Sequence, residues 1–201
     1  MPTYKLKESI RRFEENIKQM PYVSDKEYRR KMDEEKQREV KREISTTIPP
    51  KYWNAKTDDI PIDNTKPFYL HGEVGSGKTY YAYAVVRLAI LKGELLPKLV
   101  NFPDICMTYR IAPFDSKQEI IEDLKCCSRL IFDDLGAETP SSSSEELLSS
   151  IINYRIEHEK FFAFTSNFGI GKLPYDSRIK SRIKGIVKDN QFKFSGRDRR
   201  L

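Results

Sequence analysis

The chain has 201 residues, 38% hydrophobic and 33% charged, a length suited to one α/β domain and too short for two of comfortable size. No stretch approaches the roughly 18 apolar residues of a membrane span, the N-terminus lacks a signal-peptide core, and three cysteines without a C-x-x-C pair favour reduced thiols in a cytoplasmic protein. The formal charge of +6 is uneven, because residues 171–201 carry ten Lys/Arg against three Asp while the first 170 residues sum to −1, which indicates an anionic partner such as nucleic acid.

Residues 1–47 are predicted to form a short, charged helical arm. "ESIRRFEENIKQM" places Ile10, Phe13 and Ile17 at helical spacing, whereas "DKEYRRKMDEEKQREVKREI" has few apolar residues. Such a segment cannot build a core of its own, so we expect it either to dock on a partner or to be partly disordered. The prolines of "TTIPPKYW" end the helix, and we place the domain boundary there, with a second domain over residues 48–201.

From residue 66 onward, short apolar runs alternate with helix-period segments, which is typical of a parallel α/β sheet. The predicted strands are "PFYLHG", "KLVNF", "RLIFDD", "FFAFTSN" and "QFKFSG". The predicted helices between them are "KTYYAYAVVRLAILKG", "PDICMTYRIA", "SKQEIIEDLKCC", "SSSSEELLSSIINYRIEHEK" and "YDSRIKSRIKG". The serine run opening the fourth of these helices is suited to capping its N-terminus.

A phosphate-binding loop follows the first predicted strand and opens the first of these helices. The loop fits G-x-x-x-x-G-K-[ST] in full and consists of Gly72, Glu73, Val74, Gly75, Ser76, Gly77, Lys78 and Thr79. Its glycines let backbone N–H groups face the phosphates, and the helix N-terminus adds partial positive charge. Lys78 is predicted to reach the β- and γ-phosphates of ATP or ADP, and the Thr79 hydroxyl to coordinate Mg²⁺.

Two adjacent carboxylates end the third predicted strand, in "RLIFDDLGAE". Asp133 is predicted to lie beside the phosphate-binding loop, where it would hold Mg²⁺ through water. Asp134 occupies the position at which many P-loop ATPases have a glutamate that orients the attacking water, but its side chain is one methylene shorter. We therefore expect either slow hydrolysis or assistance from Glu138; a merely polar strand end is the alternative for Asp134.

The fourth predicted strand ends in Thr165, Ser166 and Asn167. A polar side chain at this point is expected to lie between the two phosphate-facing strands, near the γ-phosphate. Asn167 could then hydrogen-bond the attacking water or the phosphate. A Ser-Asn pair after a strand is otherwise ordinary turn chemistry, so this prediction depends on the two preceding motifs. His71, just before the loop, is predicted to pack rather than to participate.

The segments "GEVGSGKT", "IFDDLGAE", "IINYR" and "FTSN", in this order and spacing, resemble the AAA+ ATPases of the DnaC/DnaI-like replicative helicase loader family. IstB-type transposition helper ATPases share them. The resemblance runs from about "IPPKYW" onward. It implies a P-loop NTPase of α/β class with a five-stranded parallel AAA+ core and no full helical lid domain. It also implies ATP hydrolysis, Mg²⁺, single-stranded DNA, a replicative helicase and self-association with ATP at subunit interfaces.

The resemblance further assigns two arginines. In "DSRIKSRIKG", Arg182 would be the arginine finger that reaches the γ-phosphate held by a neighbouring subunit, with Arg178 as the runner-up. The terminal "SGRDRR" resembles the closing segment of the family, so Arg200 would contact the nucleotide of its own subunit. Arg197 and Arg199 would then be DNA or surface contacts.

Nucleic acid is expected on the helices between the second and third strands, where Tyr109, Arg110 and Lys117 suit a surface that tracks the backbone and stacks on bases. Apolar packing of Tyr109 is the alternative. Helicase loaders usually carry a sizeable N-terminal module, whereas only a charged helical segment of about 50 residues precedes the core here, so either this arm performs the docking or the partner differs.

Our interpretation is an ATP-dependent helicase loader of a phage or mobile element, with three alternatives. A transposition helper has nearly the same core but should prefer duplex DNA and a transposase. A small-molecule kinase needs an arginine-rich lid and an acceptor pocket, which the sequence does not show. A nucleotide-gated binding module with little hydrolysis is favoured by the aspartate at position 134.

Overall fold

The computed structural model describes residues 25–57 and 60–195. The helices are α1 (Asp25–Thr47), α2 (Lys78–Lys92), α3 (Phe102–Ile111), α4 (Phe114–Cys126), α5 (Ser142–Glu157) and α6 (Ser177–Val187). The strands are β1 (Tyr69–Gly72), β2 (Lys98–Asn101), β3 (Arg129–Asp133), β4 (Phe161–Ser166) and β5 (Gln191–Phe194). These elements confirm the predicted order of alternating strands and helices.

The chain divides into two units, one up to Arg42 and one from Glu43 onward. Within the first unit, the described part of α1 carries ion pairs one turn apart, Lys31 with Glu27 at 3.2 Å and Arg30 with Glu34 at 3.7 Å. All four side chains are well exposed, so each pair adds only a few tenths of a kcal/mol, roughly 0.3–0.5. The boundary proposed at residue 47 stays a prediction. No helix among the described residues has the length and apolarity needed to span a bilayer.

The five strands form one parallel sheet in the order β2-β3-β4-β1-β5. This confirms the predicted five-stranded α/β core. Because β4 lies between β3 and β1, the carboxyl ends of these three strands meet at one edge of the sheet. Parallel α/β sheets generally bind their ligands at this edge.

Alternating side chains of the sheet enter two cores, one on each face. Leu70, Ile131 and Ala163 face α2 in one core, together with Val85. Phe132, Phe162 and Phe164 belong to the other. The period of two follows from the pleat of the strands, and burial on both faces explains why these strands read as nearly continuous apolar runs.

Side-chain caps fix where several helices begin. Ser141 and Ser144 form a reciprocal capping box at the start of α5, which confirms the function predicted for the serine run. At α3, the Asn101 side chain accepts a hydrogen bond from the Asp104 N–H at 3.1 Å. At α6, Asp176 accepts from the N–H groups of the first turn.

A buried arginine on α5 joins three elements behind the sheet. The Arg155 side chain is 1% exposed. Its guanidinium donates to five backbone carbonyls at 2.6–3.2 Å, those of Leu124, Lys125, Cys127, Ser128 and Phe161. These carbonyls belong to the end of α4 and the starts of β3 and β4. Arg155, the last residue of "IINYR", therefore sets where β3 and β4 begin.

Replacing Arg155 by leucine should lower the free energy of unfolding by roughly 3–5 kcal/mol, since a buried carbonyl left without a donor costs about 1–3 kcal/mol. Urea unfolding measures the change. Lys160→Leu is the matched control, because Lys160 donates to the Cys126 carbonyl from an exposed position and should change stability by no more than about 0.5 kcal/mol. Equal losses in the two variants would contradict this role of Arg155.

Candidate nucleotide-binding site

The phosphate-binding loop connects the end of β1 to the start of α2, as predicted. Lys78 is only 4% exposed, and its Nζ donates to the carbonyls of Gly72 at 2.9 Å and Glu73 at 2.8 Å. The Lys78 side chain therefore folds back over the phosphate-binding loop. The ammonium is held at the place where phosphate oxygens bind in such loops.

A close approach to the neighbouring strand also requires glycine at position 72. Its φ is +147°, and a Cβ there would lie 2.2 Å from the carbonyl oxygen of Phe194 on the neighbouring strand β5. No other residue could fit without moving β5, because that contact is with backbone. A glycine is therefore required at this position for packing of the sheet.

Asp133 is the centre of a hydrogen-bond network that joins β3, β4 and α2. The Thr79 hydroxyl donates to its carboxylate at 3.0 Å, and the buried Thr165 hydroxyl donates to the same carboxylate from β4. Thr165 Oγ1 also accepts the Asp134 N–H at 3.0 Å. A polar residue of β4 thus lies between β3 and β1, as the sequence predicts. The residue that makes these contacts is Thr165.

Burial raises the pKa of the Asp133 carboxyl above its usual range, and the charge of Asp134 acts in the same direction. The hydrogen bonds from Thr165 and Thr79 and the charge of Lys78 oppose the shift. A bound divalent cation would favour the ionised form. The site thus has an acidic group that is costly to ionise unless positive charge is bound beside it.

Asp134 and Asn167 both line the pocket that contains Lys78 and Thr79. Asp134 has φ +58°, a left-handed conformation that aspartate and asparagine tolerate better than most residues. Asn167 is held through its neighbours, since the Ser166 hydroxyl donates to the Leu135 carbonyl at 2.6 Å and accepts the Phe168 N–H at 3.0 Å. The backbone next to both residues is therefore held in place at the edge of the pocket.

Glu138 is not available to assist Asp134. It is buried, one carboxylate oxygen accepts the Gly136 N–H at 3.1 Å, and the other accepts the hydroxyl of Tyr175. The expectation that Glu138 helps to orient water is therefore wrong. Among the residues singled out near β3, Asp134 alone presents a carboxylate to the pocket.

The pocket has a volume of about 940 Å³ and extends from the loop to residues that sequence reasoning assigned no function. On the side away from β3 it is lined by Lys51, Tyr52, Lys56 and Ile60. Tyr52 stacks on Tyr83 of α2 with ring centroids 4.4 Å apart. The only sequence signal for this wall was the group of aromatic and basic residues in "PPKYWNAK".

The residues present fit a nucleoside triphosphate with Mg²⁺. Ser76 Oγ is buried within the loop without a hydrogen-bond partner among the described residues, so it needs a polar atom from elsewhere. Lys78 supplies positive charge, and Thr79 with Asp133 supplies the hard oxygen ligands that Mg²⁺ prefers. The aromatic and lysine wall on the other side suits a base. Nucleotide binding is thus consistent with every part of the pocket.

The two arginines predicted to act between subunits lie on α6. Arg182 and Arg178 are both exposed, and neither lines the pocket in the part of the chain that the structure describes. Their exposed position is compatible with action on a neighbouring copy. Arg200, Arg197 and Arg199 lie outside the described residues.

The structure modifies the expectation for the surface between β2 and β3. Tyr109 is half-buried against the core, and Lys117 Nζ lies 5.4 Å from its ring centroid. Arg110 is exposed. Packing thus accounts for Tyr109, while Phe114 nearby in the chain presents an aromatic ring that is 74% exposed.

His71 is half-buried on β1, as predicted for a packing residue. A Cβ added to Gly169 would contact its imidazole at 3.7 Å. Burial and the charges of Lys193 and Lys78 lower the pKa of His71. The neutral form is therefore favoured at physiological pH.

No protein-family model matches the chain, and no curated protein matches it. Solved structures do. A crystal structure of DnaI has 24% identity and a TM-score of 0.57, with 81% of each chain covered. The DnaC helicase loader has 19% identity and a TM-score of 0.56, over 73% of this chain and 100% of the other. The replication initiator DnaA bound to AMPPCP and single-stranded DNA has 17% identity and a TM-score of 0.61, over 75% and 52%.

These likenesses establish the fold. The chain has the AAA+ fold of DnaI, the DnaC helicase loader and the DnaA initiator, with a five-stranded parallel sheet and a phosphate-binding loop after β1. This confirms the fold class and the DnaC/DnaI-like resemblance given by the motifs.

Asp133→Asn should remove a pH dependence of stability in the protein without nucleotide. A raised folded pKa means that the contribution of Asp133 is fully present below the unfolded value of about 3.9 and is lost as pH rises through the folded value. The asparagine side chain does not titrate, so the variant has no such loss of stability. Relative to the variant, the wild type should therefore lose stability as the pH rises across that interval.

Urea unfolding of both proteins between pH 4 and pH 8 measures this difference. Addition of Mg²⁺ and ATP should then stabilise the wild type more than the variant, because the metal binds the carboxylate form. A wild-type to variant difference that is the same at every pH would contradict the role of burial at Asp133.

Proposed function

We propose that the chain is an ATP-binding and ATP-hydrolysing DNA replication protein that acts as a helicase loader on single-stranded DNA. The observation that carries the proposal is the network in which Thr79 and Thr165 donate to the Asp133 carboxylate beside Lys78. The AAA+ fold of DnaI and the DnaC helicase loader supports the biological context. The DnaA structure with AMPPCP and single-stranded DNA supports both ligands.

In this proposal, each residue of the pocket has a separate task. Lys78 and the loop N–H groups would hold the phosphates, while Thr79 and Asp133 would hold Mg²⁺, which would supply charge that neutralises the phosphates. Asp134 and Asn167, fixed at the pocket edge, orient the attacking water. Because Asp134 has a short side chain and Glu138 is engaged elsewhere, we expect slow turnover by a single chain.

Arg182 completes the site of a neighbouring copy. It is exposed on α6 and is not among the residues that line its own pocket, so in this proposal its contribution depends on self-association with ATP between subunits. An arginine supplied in this way accelerates phosphoryl transfer by about 10³–10⁵. Hydrolysis would then release or reset the assembly on DNA, and the replicative helicase would be its protein partner.

A nucleotide-gated binding module with little hydrolysis is the second candidate function. The specific observation that favours it is the engagement of Glu138 with Tyr175 and Gly136, which leaves Asp134 as the carboxylate facing the pocket. A transposition helper remains an alternative of the same fold, and preference for duplex over single-stranded DNA would distinguish it.

Turnover of ATP should rise more steeply than in proportion to protein concentration, because the site is completed between copies. Arg182→Ala should lower turnover by at least 10³-fold at saturating ATP, and Asp134→Asn should do the same while keeping ATP binding. Steady-state phosphate release across a concentration series measures both. Lys184→Ala is the control, since Lys184 is exposed on the same helix and should change turnover less than threefold.

Mixing Arg182→Ala with Asp134→Asn should restore turnover, because one chain supplies the water-orienting carboxylate and the other the arginine. Arg178→Ala in place of Arg182→Ala decides which arginine acts. ATP that binds tightly without turnover at any concentration would contradict the ATPase proposal and favour the gated module.

Single-stranded DNA should bind the chain in the presence of a non-hydrolysable ATP analogue and bind more weakly when the surface between β2 and β3 is altered. Phe114→Ala should cost about 1–3 kcal/mol if a base stacks on the ring. Arg110→Ala should weaken binding and reduce its salt dependence. Fluorescence anisotropy with a labelled oligonucleotide measures both, with Glu119→Ala as the exposed control. Unchanged affinity in both variants would contradict this location.

A further inference from the structure

Glu138 is a buried carboxylate that the proposed chemistry does not use. Burying a charged group is costly unless hydrogen bonds compensate it. Both of its oxygens are engaged, one by the Gly136 N–H and the other by the Tyr175 hydroxyl. Tyr175 is itself buried, and burial together with this bond raises the pKa of its phenol. The pair therefore forms a fixed internal contact between two segments.

One end of this contact is the turn that carries the water-orienting carboxylate. Gly136 lies two residues after Asp134, and the Ala137 N–H donates to the Asp134 carbonyl at 3.0 Å. The turn is tightly packed, because Gly136 has φ +86° and a Cβ there would lie 3.1 Å from both Leu173 and Pro174. A shift of this turn cannot leave the segment before α6 undisturbed.

The other end is the start of the helix that carries the arginines. Tyr175 immediately precedes Asp176, whose carboxylate accepts the N–H of Arg178 at 2.6 Å and caps α6. Arg182 lies five residues into the helix, about 8 Å along its axis at 1.5 Å per residue. A neighbouring face of α6 is buried in the core through Ile179 and Ile183. The cap and this packing together position the helix.

We propose that the Tyr175–Glu138 hydrogen bond is a positioning link, which holds the arginine-bearing helix of one copy in register with the Asp134 turn of the same copy. Tyr175 and Glu138 are therefore positioning residues, and they act through Arg182. The inference rests on the proposed function, because Arg182 must act on the pocket of a neighbouring copy for the link to matter. It adds that Arg182 of one copy is positioned correctly only when the Asp134 turn of that same copy keeps its conformation.

Mixed assemblies test the link, because they separate the copy that supplies the arginine from the copy that hydrolyses ATP. The donor chain is Asp134→Asn, which keeps Arg182; the acceptor chain is Arg182→Ala, which keeps Asp134. Tyr175→Phe is added to one chain at a time, and turnover of the equimolar mixture is measured. On the donor it should lower turnover at least tenfold, and on the acceptor it should change turnover less than twofold.

Tyr154→Phe on the donor is the matched control. It also removes a phenol hydroxyl from a partly buried side chain, but on α5, and it should leave turnover within twofold. Each chain is checked for ATP affinity and melting temperature. If Tyr175→Phe does not fold, Glu138→Leu tests the link from the other side, because leucine offers no acceptor to the Tyr175 hydroxyl.

The outcomes separate the inference from the proposed function. Equal turnover with and without Tyr175→Phe on the donor overturns the link. Equal losses on donor and acceptor overturn it as well, because the residue would then support the fold in general. A mixture with Tyr175 intact in both chains that shows no turnover overturns the arginine acting between copies, and the link with it.

Discussion

The candidate site depends on the burial of one carboxylate, that of Asp133. A carboxylate at the end of a central strand must find donors or lose stability, and the donors here are the hydroxyls of Thr165 on β4 and Thr79 on α2. Only a sheet in which β4 lies between β3 and β1 can bring these groups together. The hydrogen bonds of the pocket thus depend on the strand order of the sheet.

The same edge of the sheet carries a second set of contacts that reach beyond the pocket. Ser166 joins the Leu135 carbonyl to the Phe168 N–H, and Glu138 joins Gly136 to Tyr175. Together they give the turn after β3 hydrogen bonds both to β4 and to the segment before α6. Because of these contacts, a small movement of the turn after β3 would also move the segment before α6.

Much of the fold and of the pocket could be predicted because it rests on local signals. The phosphate-binding loop is a contiguous motif, and the ends of β3 and β4 show as polar residues after apolar runs. Glu138 could not be placed, because its burial depends on Tyr175, distant in sequence. The roles of Arg155 and of the Tyr52 wall also come from long-range packing. The burial or exposure of one isolated side chain leaves no periodic pattern in the sequence.

The central claim is that this pocket binds ATP through Lys78 and through a metal held at Thr79 and Asp133. Calorimetric titration of ATP into the wild-type chain and into Lys78→Ala, each with and without Mg²⁺, tests it most directly. We predict one site per chain, binding by the wild type that Mg²⁺ tightens at least tenfold, and at least a hundredfold weaker binding by Lys78→Ala. Equal affinities for the two proteins, or wild-type binding indifferent to Mg²⁺, would contradict the account.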